Sequence, residues 1–180
     1  MKFYTADAGT DEQVAAIGFG SNLGQSRAIL TAAWRELGHC PGIAPIALSS
    51  PYRSQPLEMI SDNWFVNAAA LVRTTLSPEA LLRVLQAVET RHGRRRDAAA
   101  SAIHRDRTLD LDLLLYDDLL LATGRLIVPH PRLAHRLFVL APLAEIAADL
   151  LHPGCDKMIG VLLTELRQTD HNQLIERIAW

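Results

Sequence analysis

A stretch of alternating leucine and aspartate, Arg107–Leu115 (RTLDLDLLL), constrains the fold of this chain more than any other part of its sequence. The side chains of a β-strand point alternately to its two faces, whereas two residues that are two apart on a helix point in nearly opposite directions. The alternation therefore predicts a strand over residues 108–116. On that strand Leu109, Leu111 and Leu113 are buried on one face, and Asp110 and Asp112 project from the other.

The two aspartates would repel each other, because side chains two residues apart on a strand lie about 7 Å apart. A divalent cation between them removes that cost, and Mg²⁺ usually takes one or two protein carboxylates and completes its shell with water and phosphate oxygens. The spacing therefore favours metal-assisted phosphate chemistry. An exposed strand whose aspartates pair with surface arginines would show the same pattern. Asp117 and Asp118 follow the strand, and we expect them to be solvated turn residues.

Five arginines flank the aspartate pair: Arg94, Arg95, Arg96, Arg105 and Arg107. Guanidinium groups match phosphate geometry, and the polar, irregular stretch 94–106 predicts a mobile loop that could close over a nucleotide. A solvated basic run, or a contact to the phosphates of a nucleic acid, would look similar. The net charge of −2 disfavours a nucleic-acid partner, because domains that bind nucleic acid are usually basic overall.

Hydrophobic periodicity predicts strands and helices that alternate along most of the chain. Strands or extended runs are predicted at 14–19, 43–53, 64–75 and 108–116, a hairpin at 119–128, and helices at 24–37, 78–92, 138–150 and 159–167. Ser77 fits the N-cap of the second helix and Pro78 its first position. Because several strands are joined by short turns, the pattern indicates an α+β fold with a mixed or antiparallel sheet and helices packed on it.

A length of 180 residues fits one domain, and we expect a loose leader at 1–13 followed by a single domain at 14–180. No stretch is long and apolar enough to span a bilayer, and no signal-peptide pattern is present. Cys40 and Cys155 have no metal-ligand spacing, so we expect two free, buried thiols and a cytoplasmic protein. We expect a monomer or a weak dimer.

Three common site motifs do not fit this sequence. It contains no G-x-x-x-x-G-K-[ST], so it is not a P-loop enzyme. The glycines of Gly18–Gly24 lack the full dinucleotide-binding spacing, and the seven histidines form no zinc signature.

Six short segments occur in a specific order over roughly residues 14–153. They are Gly20–Gly24 (GSNLG), Ser50–Ser54 (SPYRS), Phe65–Ala69 (FVNAA), Glu89 with Gly93–Arg96 (GRRR), Arg107–Asp112 (RTLDLD) and Val128–Arg132 (VPHPR), the last running on to Arg136–Leu140 and Pro142–Leu143. Each segment is a weak signal by itself. In this order they resemble the 6-hydroxymethyl-7,8-dihydropterin pyrophosphokinase family.

The resemblance implies a ferredoxin-like fold and a reaction of folate biosynthesis. In that reaction the hydroxymethyl oxygen of the pterin attacks the β-phosphorus of ATP, giving the pterin diphosphate and AMP. The resemblance further implies two Mg²⁺ ions on Asp110 and Asp112, with Arg94 and Arg107 as catalytic arginines. The implied ATP contacts are Gln86, Glu89, Arg94, Arg96, Arg107, Arg125, His130 and Arg136. The implied pterin contacts are Ser54, Leu57, Phe65, Asn67 and Phe138, with Asn22 near the same pocket.

Without the resemblance, the residues assigned to the pterin differ in how strongly they indicate a ligand-binding site. Phe65 and Phe138 would fit a plain hydrophobic core. Asn67 lies in an apolar strand, where a buried amide needs hydrogen-bond partners that a ligand can supply.

Two covering loops depart from the family pattern. His104, Arg105 and Asp106 stand where the family usually has Trp, Gly and Pro, and Gln55 and Glu58 replace a usual proline and a common glycine. The planar side chains of His104 and Arg105 can stack in place of the tryptophan, whereas Asp106 is expected to compete with phosphate for Arg107.

We therefore expect a working enzyme whose lid closes less tightly, with a lower kcat or a higher KM. Two alternatives stay open: a paralogue that binds nucleotide or pterin with lost or altered turnover, and a ferredoxin-like nucleic-acid-binding module.

Overall fold

The computed structural model of the chain describes residues 12–57, 61–94 and 106–180. Most of the expected leader, at 1–11, lies outside these residues. The predictions made for Glu58, Arg95, Arg96, His104 and Arg105 also lie outside them.

Strands and helices alternate along the described residues. In chain order they are β1 (Gln13–Ser21), α1 (Ser26–Leu37), β2 (Ile43–Leu48), β3 (Tyr52–Ser54), β4 (Phe65–Thr74), α2 (Pro78–Arg91), β5 (Asp110–Tyr116), β6 (Leu121–Ala122), β7 (Ile127–Val128), a 3₁₀ turn (Leu133–His135), α3 (Leu137–Ala147), β8 (Leu151–His152), β9 (Lys157–Met158), α4 (Ile159–Thr169) and β10 (Ile175–Arg177).

The main sheet has the order β10-β3-β4-β1-β5, with β2 also paired to β4. Every strand pairing in this sheet is antiparallel. Elements β1, α1, β2, β4, α2 and β5 form a β-α-β-β-α-β unit whose strands lie side by side as β5-β1-β4-β2, which is the ferredoxin-like arrangement. The predicted α+β fold is confirmed.

Helices cover both faces of the sheet, so the described residues form two hydrophobic cores. Alternate residues of β1 point to opposite faces: Ile17 and Phe19 pack with α1 and α2, whereas Val14 and Ala16 pack with α3 and α4. Helix α2 begins as predicted, because the Ser77 side chain accepts a hydrogen bond from the backbone N–H of Ala80 at 3.3 Å and Pro78 occupies the first turn.

Strand β5 contains a bulge that its sequence does not reveal. Leu115 pairs with Ala16 and Leu113 pairs with Ile17, so Leu114 is an extra residue on β5. Leu113 belongs to the core under α1 and α2, but both Leu114 and Leu115 belong to the core under α3 and α4. The face alternation predicted from the sequence therefore holds up to Leu113 and changes phase there.

Other elements differ from the sequence predictions mainly at their ends. Helix α3 runs from Leu137 to Ala147 and not to Leu150, and β5 begins at Asp110. Three short strands, β8, β9 and β10, were not predicted, because two or three residues carry too little periodicity. Both cysteines are free thiols, as expected, but the expectation that they are buried is wrong, because Cys155 is exposed and Cys40 is half-buried. Within the described ranges, no helix has the length and hydropathy needed to cross a membrane.

Asp117 and Asp118 lie in a turn, as expected, but the side chain of Asp117 is half-buried and hydrogen-bonded and not freely solvated. Its Oδ1 accepts a hydrogen bond from the backbone N–H of Val14 at 2.8 Å, and its own N–H donates to the carbonyl of Val14 at 2.8 Å. Its backbone has a φ of 44°, a left-handed conformation that aspartate and asparagine tolerate better than most residues. Asp117 therefore ties the end of β5 to the start of β1, whereas Asp118 is exposed.

We predict that Asp117→Ala lowers the free energy of unfolding by roughly 1–3 kcal/mol, because it removes the acceptor for a strand N–H and places alanine at a positive φ. Asp117→Asn keeps both an oxygen acceptor and the backbone preference, so its effect should be below about 1 kcal/mol. Urea unfolding measures both, with Asp118→Ala as the matched control. Equal stabilities for Asp117→Ala and Asp118→Ala would contradict the role assigned to Asp117.

Candidate active site

A cavity of about 630 Å³, including its open mouth, lies between the sheet and the start of α3. This size is in the range of pockets that bind small molecules. Its walls come from β1, β4, β5, α3 and the segment after β3. The lining residues are Gly18, Phe19, Gly20, Ser54, Gln55, Leu57, Phe65, Asn67, Ala68, Arg107, Asp110, Asp112, Leu114, Arg136, Phe138 and Val139.

Two glycines of β1 keep the floor of the cavity open. Gly20 pairs with Asn67 on one side and with Asp110 on the other, and Gly18 pairs with Asp112. Residues paired across strands share a face, so these glycines lie in the cavity floor and add no side chain to it. A Cβ at Gly20 would lie 3.3 Å from Oδ1 of Asn67 and 3.7 Å from Cβ of Asp110. The sequence prediction did not assign these glycines to a site.

Asp110 and Asp112 share one strand face, as the leucine alternation predicted, and both line this cavity. Burial, the largest effect, and the nearby Asp110 carboxylate raise the pKa of Asp112 well above its ordinary value, and Arg107 partly opposes them. Two carboxylates in the cavity wall thus carry an electrostatic cost that a bound cation would remove.

Asp110 forms ion pairs with two of the predicted arginines. One of its oxygens bonds Nη1 of Arg94, and the other lies 3.0 Å from Nε of Arg107. Arg94 also pairs with Glu89, which is fully buried and accepts a hydrogen bond from the backbone N–H of Leu111 at 2.8 Å. Glu89 therefore holds Arg94 against the edge of β5. The alternative of aspartates paired with arginines describes Asp110 in part, but here the pair faces a cavity and not open solvent.

The two predicted aromatics lie on the cavity wall, each with an arginine beside its ring. The guanidinium carbon of Arg107 is 5.3 Å from the centre of the Phe65 ring, and that of Arg136 is 5.5 Å from the centre of Phe138. Flat ring faces next to cationic groups suit a planar, polar heterocycle or a phosphate ester.

The buried amide predicted from the sequence also lies in the cavity. Asn67 donates from Nδ2 to Oγ of Ser54 at 2.8 Å, and both side chains are almost fully buried. This pair offers fixed donors and acceptors to the edge of a bound ring.

Nine of the predicted site residues line the cavity: Ser54, Leu57, Phe65, Asn67, Arg107, Asp110, Asp112, Arg136 and Phe138. Five others do not: Gln86 and Glu89 lie on α2, Arg94 pairs with Asp110, Arg125 is exposed on the β6–β7 hairpin, and His130 follows β7. The backbone N–H of His130 donates to the carbonyl of Leu114 at 2.9 Å, so the segment after β7 is attached to β5. The ATP contacts of these five residues stay predictions.

Gln173, which the sequence prediction missed, holds the start of α3. Its Oε1 accepts from the backbone N–H of Leu137 at 2.7 Å, and its Nε2 donates to the carbonyl of His135 at 3.0 Å. Arg136 and Phe138 flank Leu137, so Gln173 positions two lining residues. An N–H in the first turn of a helix needs such a partner, but glutamine has no sequence signature that shows it.

Asp106 is oriented differently from the sequence expectation. Its carboxylate accepts hydrogen bonds from the side chains of Asn22, Ser61 and Asn63, whereas the ion pair of Arg107 is with Asp110. The hydrogen bond from Ser61 is the main effect that lowers the pKa of Asp106, and the charge of Arg107 adds to it. Asn22 accepts from the backbone N–H of Arg107 at 2.8 Å and thus lies beside the pocket as expected.

The residues present fit a magnesium ion. Within the part of the chain that the structure describes, no group of three or more His, Cys, Asp or Glu side chains could hold a metal. A pair of carboxylates is nevertheless the usual protein contribution to a Mg²⁺ site whose remaining ligands are water and phosphate. Arg107 and Arg136, which line the same cavity, can contact such a phosphate.

Fold and site define a class: an α+β domain whose cavity joins stacking aromatics and a buried amide to a carboxylate pair. The sequence pattern of the 7,8-dihydro-6-hydroxymethylpterin-pyrophosphokinase family matches residues 16–148. The chain is 39% identical over 140 residues to the 2-amino-4-hydroxy-6-hydroxymethyldihydropteridine pyrophosphokinase of Methylorubrum extorquens, with coverage of 78% of this chain and 86% of that protein. It is 42% identical over 137 residues to the protein of the same name from Pseudomonas aeruginosa, with coverage of 76% and 82%. The chain belongs to this family.

Solved structures agree with the fold. A Plasmodium falciparum HPPK-DHPS triple mutant matches with a TM-score of 0.71 at 13% identity, covering 93% of this chain and 47% of that one. An HPPK-DHPS in complex with substrates matches with a TM-score of 0.70 at 13% identity, covering 89% and 44%. This chain therefore spans less than half the length of those structures, and the likeness supports the fold alone.

We predict that His130 makes the protein less stable in acid. Burial, the largest effect, and the charge of Arg136 lower the pKa of His130 from 6.5 to about 4, so the folded protein keeps this ring neutral where the unfolded chain would protonate it. The stabilisation is therefore complete above the unfolded pKa of 6.5 and is lost as the pH falls toward 4.

Nδ1 of His130 accepts a hydrogen bond from the backbone N–H of Arg132 at 3.2 Å. His130→Asn keeps an acceptor for this N–H but removes the group that titrates. Between about pH 7.5 and 4.5, the wild type should lose on the order of 2 kcal/mol more unfolding free energy than this variant. Urea unfolding across this range measures the difference. His171→Asn, at an exposed histidine, is the control and should follow the wild type. Parallel curves for His130→Asn and wild type would contradict the prediction.

Proposed function

We propose that this protein transfers a pyrophosphoryl group from ATP to 6-hydroxymethyl-7,8-dihydropterin, giving the pterin diphosphate and AMP in folate biosynthesis. Membership of the family and the names of the curated relatives support this proposal. The observation that carries it is that one cavity is lined both by the aromatic and amide side chains and by the carboxylate pair. These residues are Phe65, Phe138, Asn67, Asp110 and Asp112.

In this proposal the pterin ring lies between Phe65 and Phe138, and Asn67 contacts its edge. Offset stacking on flat rings suits a pterin, which has two fused aromatic-like rings with alternating donors and acceptors. The hydrogen bond between Asn67 and Ser54 fixes the amide before the ligand arrives, which lowers the entropy cost of binding. Leu57 and Gln55 cover the ring from the segment after β3.

We assign two Mg²⁺ ions to Asp110 and Asp112. When bound, magnesium neutralises charge on the triphosphate and aligns attacking and leaving oxygens for in-line displacement. The protein supplies the two carboxylates on one strand face, and the glycines of β1 leave room in front of them. The ion pair of Asp110 with Arg107 holds that carboxylate in place.

Arginines then contact the phosphates. Arg107 and Arg136 line the cavity, and Arg94 lies at Asp110, so all three are close to the proposed metal site. Arg96, outside the described residues, is assigned the same role. Gln86, Glu89, Arg125 and His130 are assigned to the nucleotide on the family pattern; for Glu89 its contact with Arg94 supports an indirect role.

We also propose a cytoplasmic monomer or weak dimer that acts on small molecules and binds no nucleic acid. The free thiols and the net charge of −2 support these assignments. The changed covering loops should lower kcat or raise KM relative to family members with the usual Trp, Gly and Pro.

A coupled assay of AMP release tests the function. With ATP, Mg²⁺ and 6-hydroxymethyl-7,8-dihydropterin, AMP and the pterin diphosphate should form in equal amounts. Binding of Mg·ATP without any AMP would favour a paralogue that has lost turnover, and salt-dependent RNA or DNA binding without AMP would favour a nucleic-acid module.

We predict that Asp112→Asn lowers kcat by at least about a hundredfold, because one of the two cation-binding carboxylates is lost. The same change should leave the protein as stable or more stable by roughly 1 kcal/mol, because it relieves burial of charge beside Asp110. Steady-state kinetics and thermal unfolding measure the two effects, and Asp118→Asn at an exposed aspartate is the control. Retained activity in Asp112→Asn would exclude the proposed metal site.

We predict that Gly20→Ala raises the KM for the pterin about tenfold or more. The added Cβ would press on Oδ1 of Asn67 at 3.3 Å, so the amide must shift from the position assigned to the ring edge. The KM for ATP should change less than about threefold, because the change lies on the Asn67 side. Gly124→Ala, where an added Cβ meets nothing within 4 Å, is the control. Equal pterin KM values for the two variants would argue against the assigned ring position.

A further inference from the structure

Asp106 connects three separate parts of the chain. Its Oδ1 accepts hydrogen bonds from Nδ2 of Asn22 and from Oγ of Ser61, both at 2.6 Å, and its Oδ2 accepts from Nδ2 of Asn63 at 2.7 Å. Asn22 follows β1, whereas Ser61 and Asn63 precede β4. All three donors are neutral, so one ionised acceptor serves them, and hydrogen bonds to an ionised acceptor are stronger than neutral ones.

Two of the connected segments lead directly to residues that line the cavity, Phe65 and Arg107. Asn63 is two residues before Phe65, and Asp106 is adjacent to Arg107, which lies over the Phe65 ring. Asn22 forms two hydrogen bonds with the backbone of Arg107. Its Oδ1 accepts from the Arg107 N–H at 2.8 Å, and its own N–H donates to the Arg107 carbonyl at 3.1 Å.

The segment before β4 is a compact turn, because Oγ of Ser61 accepts a hydrogen bond from the backbone N–H of Asn63 at 3.1 Å. Two side chains of this turn bind the same carboxylate, so the turn docks on Asp106 as a unit. Trp64 continues the segment and lies 4.4 Å from the guanidinium of Arg53 on β3. The short segment that leads to Phe65 is therefore held at Ser61 and Asn63 by Asp106 and at Trp64 by Arg53.

We propose that Asp106 is a positioning residue for the pterin: its carboxylate ties the segment that carries Phe65 to the segment that carries Arg107, so that the stacking ring and the arginine keep one fixed arrangement. The proposal rests on the proposed function for the identity of the ligand. The residue acts through Phe65 and does not contact the substrate itself.

A reciprocal exchange tests the tie between residues 106 and 63. Asp106→Asn loses the acceptor for Asn63 but keeps one oxygen for Asn22 and Ser61. Asn63→Asp places two carboxylates against each other. In the double variant D106N/N63D the amide at 106 can donate to the carboxylate at 63, so the bond is restored with its direction reversed. Asp62→Asn removes one charge from the same turn at an exposed position and is the matched control.

Two readouts need no turnover: hydrogen exchange of the amides at 61–66, and the Kd for 6-hydroxymethyl-7,8-dihydropterin, titrated in the presence of Mg²⁺ and a non-hydrolysable ATP analogue. In Asp106→Asn and Asn63→Asp, we expect faster exchange and a pterin Kd raised about fivefold or more, as loss of a hydrogen bond to a charged group implies. The double variant should return to within about twofold of wild type, and Asp62→Asn should not change.

Faster exchange with an unchanged pterin Kd would overturn the proposal, because Asp106 would then be only structural. Unchanged exchange in Asp106→Asn, or a double variant no better than its single parents, would overturn it as well. A wild type that binds pterin and responds to these exchanges, but releases no AMP, would support the positioning role and reject the proposed transferase function.

Discussion

The site depends on placing two negative side chains side by side in a wall that is partly shielded from water. Asp110 and Asp112 share a face because β5 is a strand, and they line a cavity because their partners on β1 are glycines. Without a counter-charge this arrangement is unfavourable, and burial together with like charge raises the pKa of Asp112. Ion pairs of Arg94 and Arg107 with Asp110 offset part of that cost. A site built this way attracts a cation and the phosphates that accompany it.

Much of this arrangement could be predicted from the sequence because it follows local periodicity. The alternation of leucine and aspartate predicted the strand, the shared face and the carboxylate pair, and Ser77-Pro78 predicted the start of α2. The pterin and ATP positions came instead from the resemblance of ordered motifs to a family. Nothing in the spacing of Phe65 and Phe138, which are 73 residues apart in the sequence, shows that they border one cavity; only the antiparallel pairing and the placement of α3 bring them together.

What the sequence could not show depends on long-range contacts. The bulge at Leu114 interrupts a run of leucines in which every position is equally apolar, so no pattern marks it. Asp106 looked like a competitor for Arg107 because the two are neighbours in the chain, but its partners come from positions more than forty residues away. Asp117 looked like any turn aspartate, and its bond to Val14 spans 103 residues. In each case the side chain's partner is set by tertiary structure and not by its neighbours in the sequence.

The last residues of the chain lie beyond the span that matches the family, which ends at 148, yet they support the cavity. Strand β10 pairs with β3, whose Ser54 holds Asn67, and Gln173 fixes the first turn of α3 between Arg136 and Phe138. Arg177 donates to Oγ of Ser50, and Nε1 of Trp180 donates to the carbonyl of Ser49. The span that matches the family is therefore shorter than the part of the chain that forms and supports the cavity. A shortened chain that retained every motif residue would still lose a strand from the sheet edge and the amide that anchors the aromatic wall.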